Sequence, residues 1–247
     1  MKNNLYNLKS FNNIFLKPSR ISEVVSQIIY GEDFRVISKK KNWLKIKTNF
    51  DNYVGYIENK KIISKYKPTH KVYKKKSYIY KIQKKKFIKT KIFLSFASRF
   101  PIINKKKKFI EFEQNKWLKK DDVKKIDHQI LDYKKVFRYF LNTKYKWGGK
   151  HFSGIDCSGL IQIFFYYNQI FCPRDTKDQL PFFKKMKIDK FRIKKKLIFW
   201  KGHVAVCVDR KSLIHAYGPK KKVIIMNINK TLLKIFKDTN LKPIYVK

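Results

Sequence analysis

A cysteine and two histidines have the residue types and the spacing that nucleophilic catalysis requires. Cys157 opens a run in which apolar residues recur at the spacing of one helix face, at positions 160, 161, 164 and 165. The run predicts a helix that begins at Cys157, with Asp156 as its N-cap. Unpaired backbone N–H groups at a helix start stabilise a thiolate, so we expect the pKa of Cys157 to lie below the ordinary value of about 8.5. A thiol in that position is a candidate nucleophile, and it still needs a base.

Two histidines downstream are the candidate base and the group that orients it. His203 opens the run His-Val-Ala-Val-Cys-Val, and His215 lies in the run Ser-Leu-Ile-His-Ala. Both runs are short, apolar and separated by turn residues, which predicts neighbouring strands of an antiparallel meander. Pairing of those strands would place both imidazoles at one end of the sheet. The three side chains would then supply a nucleophile, a base and an orienting group.

Three short motifs around these residues resemble the signatures of the NlpC-type (NlpC/p-sixty) cysteine peptidases. They are Asp-Cys-Ser-Gly-Leu at 156–160, Gly-His-Val-Ala at 202–205 and Ile-His-Ala at 214–216, in the family's order. The resemblance covers roughly residues 130–247 and implies a papain-like α+β domain, in which a helix that carries the cysteine packs on an antiparallel sheet. It also implies an enzyme that cuts bacterial cell-wall peptides without a cofactor. One departure is Lys195-Lys196, where the family usually has Gly-Asp before the histidine strand.

The first half of the chain predicts small β-barrels. Short alternating runs separated by turn residues recur at intervals of about 8–12 residues up to position 66, and again, less clearly, from 67 to 126. The order Gly-Glu, Trp-x-x-Ile and Tyr-x-Gly-Tyr-Ile in the first stretch resembles a bacterial SH3-like domain. We therefore expect three domains: an SH3-like domain at 1–66, a diverged SH3-like domain at 67–126 and the catalytic domain at 127–247.

Tandem SH3-like domains before an NlpC-type domain resemble the γ-D-glutamyl-L-diamino acid peptidases of murein-peptide recycling. That resemblance implies short free substrates of the form L-Ala-γ-D-Glu-diamino acid and a cleft that excludes polymeric wall. It assigns substrate binding to Asp156 and Ser158 beside the nucleophile, and to Asp175. From its position three residues before another acid, Asp175 could instead only cap a short helix.

The same resemblance implies that the first domain contributes to recognition of the substrate. It assigns the peptide's free amine to Tyr53, which matches the Tyr of the family's Asp-x-Tyr-x-Gly pattern, and more weakly to Glu23. Tyr53 could equally pack on Trp43 inside its own barrel, because aromatic residues dominate small cores.

The charge leaves another class of function open. The formal net charge is +44, from 61 basic and 17 acidic residues, and such a balance favours an anionic partner. Only seven of the basic residues are Arg, however, and nucleic-acid readers favour Arg for its bidentate geometry. The excess of Lys, Asn, Ile, Tyr and Phe over Ala and Gly is typical of an AT-biased coding sequence. We therefore expect no specific nucleic-acid partner, and keep two alternatives: an exported endopeptidase acting on polymeric wall, and a catalytically decayed binder of anionic polymers.

The remaining features are expectations about setting. Three cysteines are too few for a disulfide scaffold, and no metal-ligand spacing occurs among the Cys and His residues. The first twenty residues lack the apolar core of a secretory signal, and no run is long enough to span a membrane, so we expect a cytoplasmic protein with no membrane partner. His70, His128 and His151 lack a catalytic setting and are expected at the surface, with the loop of His151 as a candidate border of the cleft.

Overall fold

A computed structural model describes residues 4–246 of the chain. The backbone divides into two units, Met1–His128 and Gln129–Lys247, and each contains its own sheets and its own buried clusters. The domain boundary expected between residues 126 and 127 lies two residues before this division. The boundary expected at residue 66 falls inside the first unit.

The first half of the first unit is one antiparallel sheet of seven strands. In the strand at residues 43–48, Leu44 and Ile46 point into the core, while Lys45 and Lys47 alternate with them on the other face, as the period of a strand requires. The core of this sheet contains Ile14, Ile28, Phe34, Leu44, Ile46 and Ile57. The strands are β1 (Leu5–Asn7), β2 (Phe11–Phe15), β3 (Val24–Ile29), β4 (Asp33–Lys40), β5 (Trp43–Thr48), β6 (Val54–Glu58) and β7 (Ile62–Ile63). They pair in the order β3-β2-β6-β5-β4-β1-β7.

The second half of the first unit is also built from antiparallel strands. They are β8 (His70–Val72), β9 (Lys76–Gln83), β10 (Lys86–Ser95), β11 (Arg99–Phe100), β12 (Asn104–Lys106), β13 (Phe109–Glu113), β14 (Lys116–Lys119) and β15 (Val123–Lys125). They form a five-stranded sheet, β10-β9-β14-β13-β12, and a three-stranded sheet, β11-β8-β15. The core between them contains Val72, Ile79, Leu94, Phe100, Ile110, Phe112, Leu118 and Val123.

The two halves of the first unit are joined through Tyr30 and Gly31. Tyr30, which follows β3, is 2% exposed and belongs to the core of the second half, where its ring meets Phe112 edge-on. Its hydroxyl donates to Glu113, and its carbonyl oxygen accepts from the Arg99 N–H at 2.9 Å. Gly31, the next residue, has a φ of +75° and also lies against the backbone of Arg99. A core residue from the first β-structure therefore packs inside the second one, across the boundary expected at residue 66.

The second unit places helices on one antiparallel sheet. Its strands are β16 (Lys150–His151), β17 (Gly154–Ile155), β18 (Leu197–Trp200), β19 (His203–Cys207), β20 (Ser212–Tyr217), β21 (Lys222–Asn227) and β22 (Ile244–Tyr245). Its helices are α1 (Tyr133–Tyr139), α2 (Cys157–Tyr167), α3 (Thr176–Lys185) and α4 (Ile228–Thr239). The main sheet has the order β21-β20-β19-β18-β22, while β16 and β17 form a separate hairpin.

Helix α2 is the buried centre of the second unit. All eleven of its residues are buried, and it packs against β19 and β20. Helix α1 begins at Tyr133, because the Asp132 side chain accepts from the Lys134 N–H at 2.9 Å and caps the helix. A buried helix on an antiparallel meander confirms the predicted α+β class. Within residues 4–246, no helix has both the length and the apolar composition needed to cross a bilayer.

Gly31→Ala should destabilise the first unit strongly. A Cβ at this position would lie 1.8 Å from the Arg99 carbonyl oxygen, so the substitution adds a backbone clash to the strain of a left-handed φ. We expect the free energy of unfolding of that unit to fall by about 3 kcal/mol or more, measured by scanning calorimetry.

Gly202→Ala is the matched control for this prediction. Gly202 has a φ of +76°, but nothing lies within 4 Å of its added Cβ, so only backbone strain should appear. The expected cost is about 1–2 kcal/mol on the transition of the second unit. Equal losses in the two variants would contradict a role for the Arg99 contact.

Candidate active site

Cys157 is the first residue of α2, as the sequence predicts. Asp156 is the N-cap, and its Oδ1 accepts from the Gly159 N–H at 2.7 Å. Gly159 is required for close approach, because a Cβ there would lie 2.3 Å from the carbonyl oxygen of Gly149. The glycine-rich segment before the helix therefore packs directly on its first turn. The thiol is held at a helix N-terminus whose cap and packing are both fixed.

The two predicted histidines lie side by side on neighbouring strands. β19 and β20 pair antiparallel with Val206 opposite Ile214, which brings the start of β19 near the end of β20. His203 Nε2 and His215 Nδ1 are 2.9 Å apart. The His215 ring stacks on Tyr217, with centroids 4.6 Å apart and an angle of 9° between the planes. The pairing predicted from two strand patterns is present.

The cysteine meets the backbone on both sides of His203. Its Sγ donates to the Gly202 carbonyl oxygen at 4.0 Å, and the Val204 N–H donates to the thiol from the other side. His203 Nε2 is engaged with His215, so Nδ1 is the ring nitrogen left to serve the cysteine. The candidate nucleophile, base and orienting group thus come from α2, β19 and β20.

Burial sets the protonation of this site. It raises the pKa of the Cys157 thiol to about 12, although the N–H groups of Val204 and Ser158 act in the opposite direction. Burial also lowers the pKa of His203 to about 4, and burial together with His203 lowers that of His215 to about 3. The expectation of a depressed thiol pKa is therefore wrong for the resting protein, because desolvation outweighs the helix N-terminus. Burial thus favours the neutral form of the thiol and of both imidazoles.

Arg174 holds the N-cap of α2 in place, a role that the sequence analysis did not assign to it. It is 2% exposed, and its Nη1 donates to Asp156 Oδ1 at 3.0 Å and to Ser158 Oγ at 2.9 Å. Its Nη2 donates to Asp156 Oδ2 at 2.6 Å and to the Gly149 carbonyl oxygen at 3.2 Å. One signal was available: only seven of the 61 basic residues are Arg, and a buried bidentate pair requires Arg rather than Lys.

The residues assigned to substrate binding lie in different settings. Both oxygens of Asp156 contact Arg174, and Ser158 Oγ also donates to Asp156 Oδ1 at 3.3 Å. Asp175 is the N-cap residue of α3, but its side chain makes no capping hydrogen bond. Burial raises the pKa of Asp175 and Arg174 opposes this shift. The interpretation that Asp175 only caps its helix therefore loses its main support.

Tyr53 and Glu23 belong to the first unit. Tyr53 packs against the core of the seven-stranded sheet, and its hydroxyl donates to the Val25 carbonyl oxygen at 3.5 Å. Its backbone N–H donates to Thr48 Oγ1 at 2.8 Å. Glu23 is exposed, and its carbonyl oxygen accepts from the Leu16 N–H at 2.9 Å. A role of either side chain in substrate recognition stays a prediction.

His151 is not at the surface, contrary to expectation. It is 2% exposed, because the β16–β17 hairpin turns its ring inward. Its Nδ1 lies 2.8 Å from Ser153 Oγ, and burial lowers its pKa to about 4. The hairpin directly precedes Asp156, so His151 helps to anchor the segment that leads into α2. Over residues 4–246, no group of three or more His, Cys, Asp or Glu side chains has the arrangement of a metal site.

Comparison with known families agrees with this geometry. Residues 142–238 match the model of the NlpC/P60 family. The second unit carries an NlpC/P60 domain. Residues 14–62 match the model of the bacterial dipeptidyl-peptidase SH3 domain, which covers most of the seven-stranded sheet that precedes the NlpC/P60 domain.

Three proteins are similar to this chain over most of its length. Dipeptidyl-peptidase 6 of Lysinibacillus sphaericus is 26% identical over 234 residues, covering 83% of this chain and 84% of that protein. An NlpC/P60 family protein from Bacillus cereus shares the fold with a TM-score of 0.74 at 19% identity, over 92% of this chain and 94% of that one. An NlpC/P60 endopeptidase from Photobacterium damselae has a TM-score of 0.62 at 12% identity, over 99% of this chain and 71% of that one. The family match and the sequence relative support a peptidase.

Removing Arg174 should leave the Asp156 carboxylate buried without its counter-charge. We expect Arg174→Leu to lower the free energy of unfolding of the second unit by about 3–5 kcal/mol. The double variant Arg174→Leu/Asp156→Asn should be more stable than the single one, because Asn carries no charge and still caps a helix. Urea titration of each protein measures the difference.

Arg138→Leu is the control for the loss of an arginine. Arg138 is exposed on α1 in the same unit, so its replacement should change stability by less than about 0.5 kcal/mol. Two results would contradict the assigned role: an Arg174→Leu protein as stable as the control, or a double variant no more stable than Arg174→Leu.

Acid should weaken the second unit through its buried histidines. The folded protein holds the pKa of His151, His203 and His215 at about 4 or below, whereas the unfolded chain takes up protons below about pH 6.5. The free energy of unfolding should therefore be highest above about pH 6.5 and fall as the pH drops toward 4, by up to about 1.4 kcal/mol per pH unit for each histidine. The His203→Asn/His215→Asn variant keeps every carboxylate and should show a shallower dependence. Equal slopes in denaturation series between pH 7 and 4.5 would refute this account.

Proposed function

We propose that this chain is a cysteine peptidase that hydrolyses the γ-D-glutamyl–diamino acid bond of short free murein peptides, such as L-Ala-γ-D-Glu-diamino acid, in cell-wall recycling. The observation that carries the proposal is the pair of imidazoles 2.9 Å apart, together with the thiol of Cys157 at the start of α2, which contacts the backbone of Gly202 and Val204 on either side of His203. The SH3-like sheet before the catalytic domain and the similarity to a dipeptidyl-peptidase support the choice of a short peptide.

In the proposed reaction, the Cys157 thiol transfers its proton to His203 Nδ1. The resting pKa values keep both groups neutral, so the transfer accompanies attack of sulfur on the amide carbonyl rather than preceding it. Backbone N–H groups at the start of α2 face the developing oxyanion, and each donor of this kind is worth about 3 kcal/mol. His215 accepts from His203 Nε2 and orients the ring while it carries the proton.

The second half of the reaction uses the same groups in reverse. His203 returns its proton to the leaving amine of the diamino acid, and the Cys157–acyl bond remains. His203 then takes a proton from water, which attacks the thioester and releases L-Ala-γ-D-Glu. The oxyanion donors act again in this step, and Cys157 recovers its proton.

Selection of short peptides rests in this proposal on the substrate's free amino terminus. A buried amine needs polar partners, and we assign this role to Tyr53 and Glu23 of the first unit and to Asp175 beside the catalytic helix. Such an enzyme would reject a blocked amine because its own polar groups would be left unpaired. Free murein peptides are products of wall turnover, so the proposal includes a cytoplasmic site of action.

Substitution of the proposed catalytic side chains should abolish cleavage of L-Ala-γ-D-Glu-diaminopimelate. Mass spectrometry of the products measures this cleavage. Cys157→Ala removes the nucleophile but little volume, so turnover should fall by about a thousandfold or more in a folded protein. His203→Ala should be nearly as severe, and His215→Ala less so, because it acts on the base rather than on the substrate.

Cys207→Ala is the matched control for the cysteine substitution. Cys207 is half-buried at the end of β19 and should be replaceable with full activity. Activity retained in Cys157→Ala, or lost equally in Cys207→Ala, would overturn the assignment of the nucleophile.

Blocking the substrate's amino terminus should prevent cleavage. The wild-type protein should cut the free tripeptide and reject its N-acetylated form. Tyr53→Ala should lose activity on the free peptide, so that the ratio of its activities on the free and the acetylated peptide is smaller than in the wild type. Tyr53→Phe keeps the ring on the core of its sheet and removes only the hydroxyl, so it separates recognition from packing. If the wild type cuts both forms equally, the amine is not recognised and an exported endopeptidase acting on polymeric wall becomes the better proposal.

A further inference from the structure

The second nitrogen of His215 faces a sulfur atom. His215 Nε2 lies 3.4 Å from Met226 Sδ, a normal separation for an N–H donating to a thioether. Met226 lies on β21, where it pairs with Leu213 two residues before His215 on β20. Its side chain packs against a cluster that includes Leu213 and Tyr217. The contact therefore comes from a fixed strand position and not from a mobile loop.

The two neutral imidazoles share one proton, and it can be placed in two ways. In the first arrangement, His203 Nε2 carries the proton and donates it to His215 Nδ1, so His215 carries its own proton on Nε2. In the second, His215 Nδ1 carries the proton and donates to His203 Nε2, so His203 must carry its proton on Nδ1. A neutral imidazole has one donor and one acceptor, and no other arrangement keeps the 2.9 Å hydrogen bond.

Only the first arrangement gives Cys157 a base. It leaves the lone pair of His203 Nδ1 free to accept the thiol proton. In the second arrangement, Nδ1 is already protonated and cannot accept. After proton transfer the His203 imidazolium still donates from Nε2, so His215 must keep its proton on Nε2 throughout the cycle.

Met226 distinguishes the two arrangements because a thioether accepts a hydrogen bond but cannot donate one. An Nε2–H on His215 is satisfied by the sulfur, whereas an Nε2 lone pair would face the sulfur lone pairs. Stacking on Tyr217 holds the His215 ring in the plane that keeps Nε2 directed at Met226. We propose that Met226 is a positioning residue that fixes the Nε2–H tautomer of His215 and thereby keeps His203 Nδ1 available as the base. For its catalytic consequence, this inference rests on the proposed peptidase function.

The test compares Met226→Leu, which removes the acceptor and keeps an apolar side chain, with Met226→Gln, whose amide oxygen restores an acceptor at similar length. Met186→Leu is the matched control, because Met186 is a half-buried methionine of the same unit at the end of α3. Two readouts are taken on each protein: the tautomer of His215 from long-range ¹H–¹⁵N correlation spectra of histidine-labelled protein, and kcat and KM on the tripeptide. The spectra require no substrate.

The wild type and the Met186→Leu protein should show His215 protonated on Nε2. Met226→Leu should show a mixture with the Nδ1–H form, and its kcat should fall about 3- to 10-fold, the factor that one ordinary hydrogen bond is worth, with KM unchanged. Met226→Gln should recover the Nε2–H form and most of kcat.

Two spectral results would overturn the inference: an Nδ1–H tautomer of His215 in the wild type, or an unchanged Nε2–H tautomer in Met226→Leu. An unchanged kcat in Met226→Leu would overturn its catalytic part. Failure of the proposed function would look different, because the wild type would then leave the tripeptide intact while the spectra still changed with Met226.

Discussion

The position of Cys157 at the start of α2 depends on one buried carboxylate. Asp156 caps α2 through the Gly159 N–H and at the same time binds both terminal nitrogens of Arg174. A capping carboxylate that is withdrawn from water needs a counter-charge, and Arg174 supplies it from the segment before α3. The same guanidinium donates to the Gly149 carbonyl oxygen. The glycine-rich segment, the start of α2 and the segment before α3 therefore meet at the first turn of that helix.

The chemistry of the site is set by exclusion of water and not by the charge of the chain. Burial is the largest influence on the pKa of Cys157, His203 and His215, and in each case it favours the neutral form. The excess of lysine gives the chain a formal charge of +44, but within residues 4–246 no lysine is among the groups that shift the pKa of Cys157, His203 or His215. Charges on an exposed surface are screened over about 8–10 Å, so they affect encounter with an anionic peptide more than the chemical step.

The positions of Cys157, His203 and His215 in the fold could be predicted because their signals are local. A helical period after Cys157 and two short apolar runs around His203 and His215 were enough to place them. Arg174 and Met226 could not be placed in the same way, because their roles depend on a contact 18 residues away and on the register of β20 against β21. The predicted direction of the pKa shift of Cys157 was wrong for the same reason. Burial depends on the packing of the whole unit, whereas the effect of the helix N-terminus can be predicted from local sequence.

The strand boundaries of the first unit were harder to predict because lysine occupies turn positions that usually hold glycine or asparagine. Lys84 and Lys85 both adopt positive φ in the turn that joins β9 to β10, and Lys41, Lys61 and Lys107 do so in other turns. A run of lysines therefore conceals a tight turn whose usual signal is Asn-Gly. The strands themselves remained visible through their alternating apolar residues.

The insertion of Tyr30 into the second β-structure limits how this protein could be rearranged by recombination. A module that is exchanged between proteins must carry a complete core, but the second half of the first unit completes its core with a ring that belongs to the SH3-like sheet. Cutting the gene at residue 66 would leave one fragment with an exposed aromatic ring and the other with a hole of the same shape. The two halves of the first unit would therefore have to be exchanged together, as one module that ends where the second unit begins.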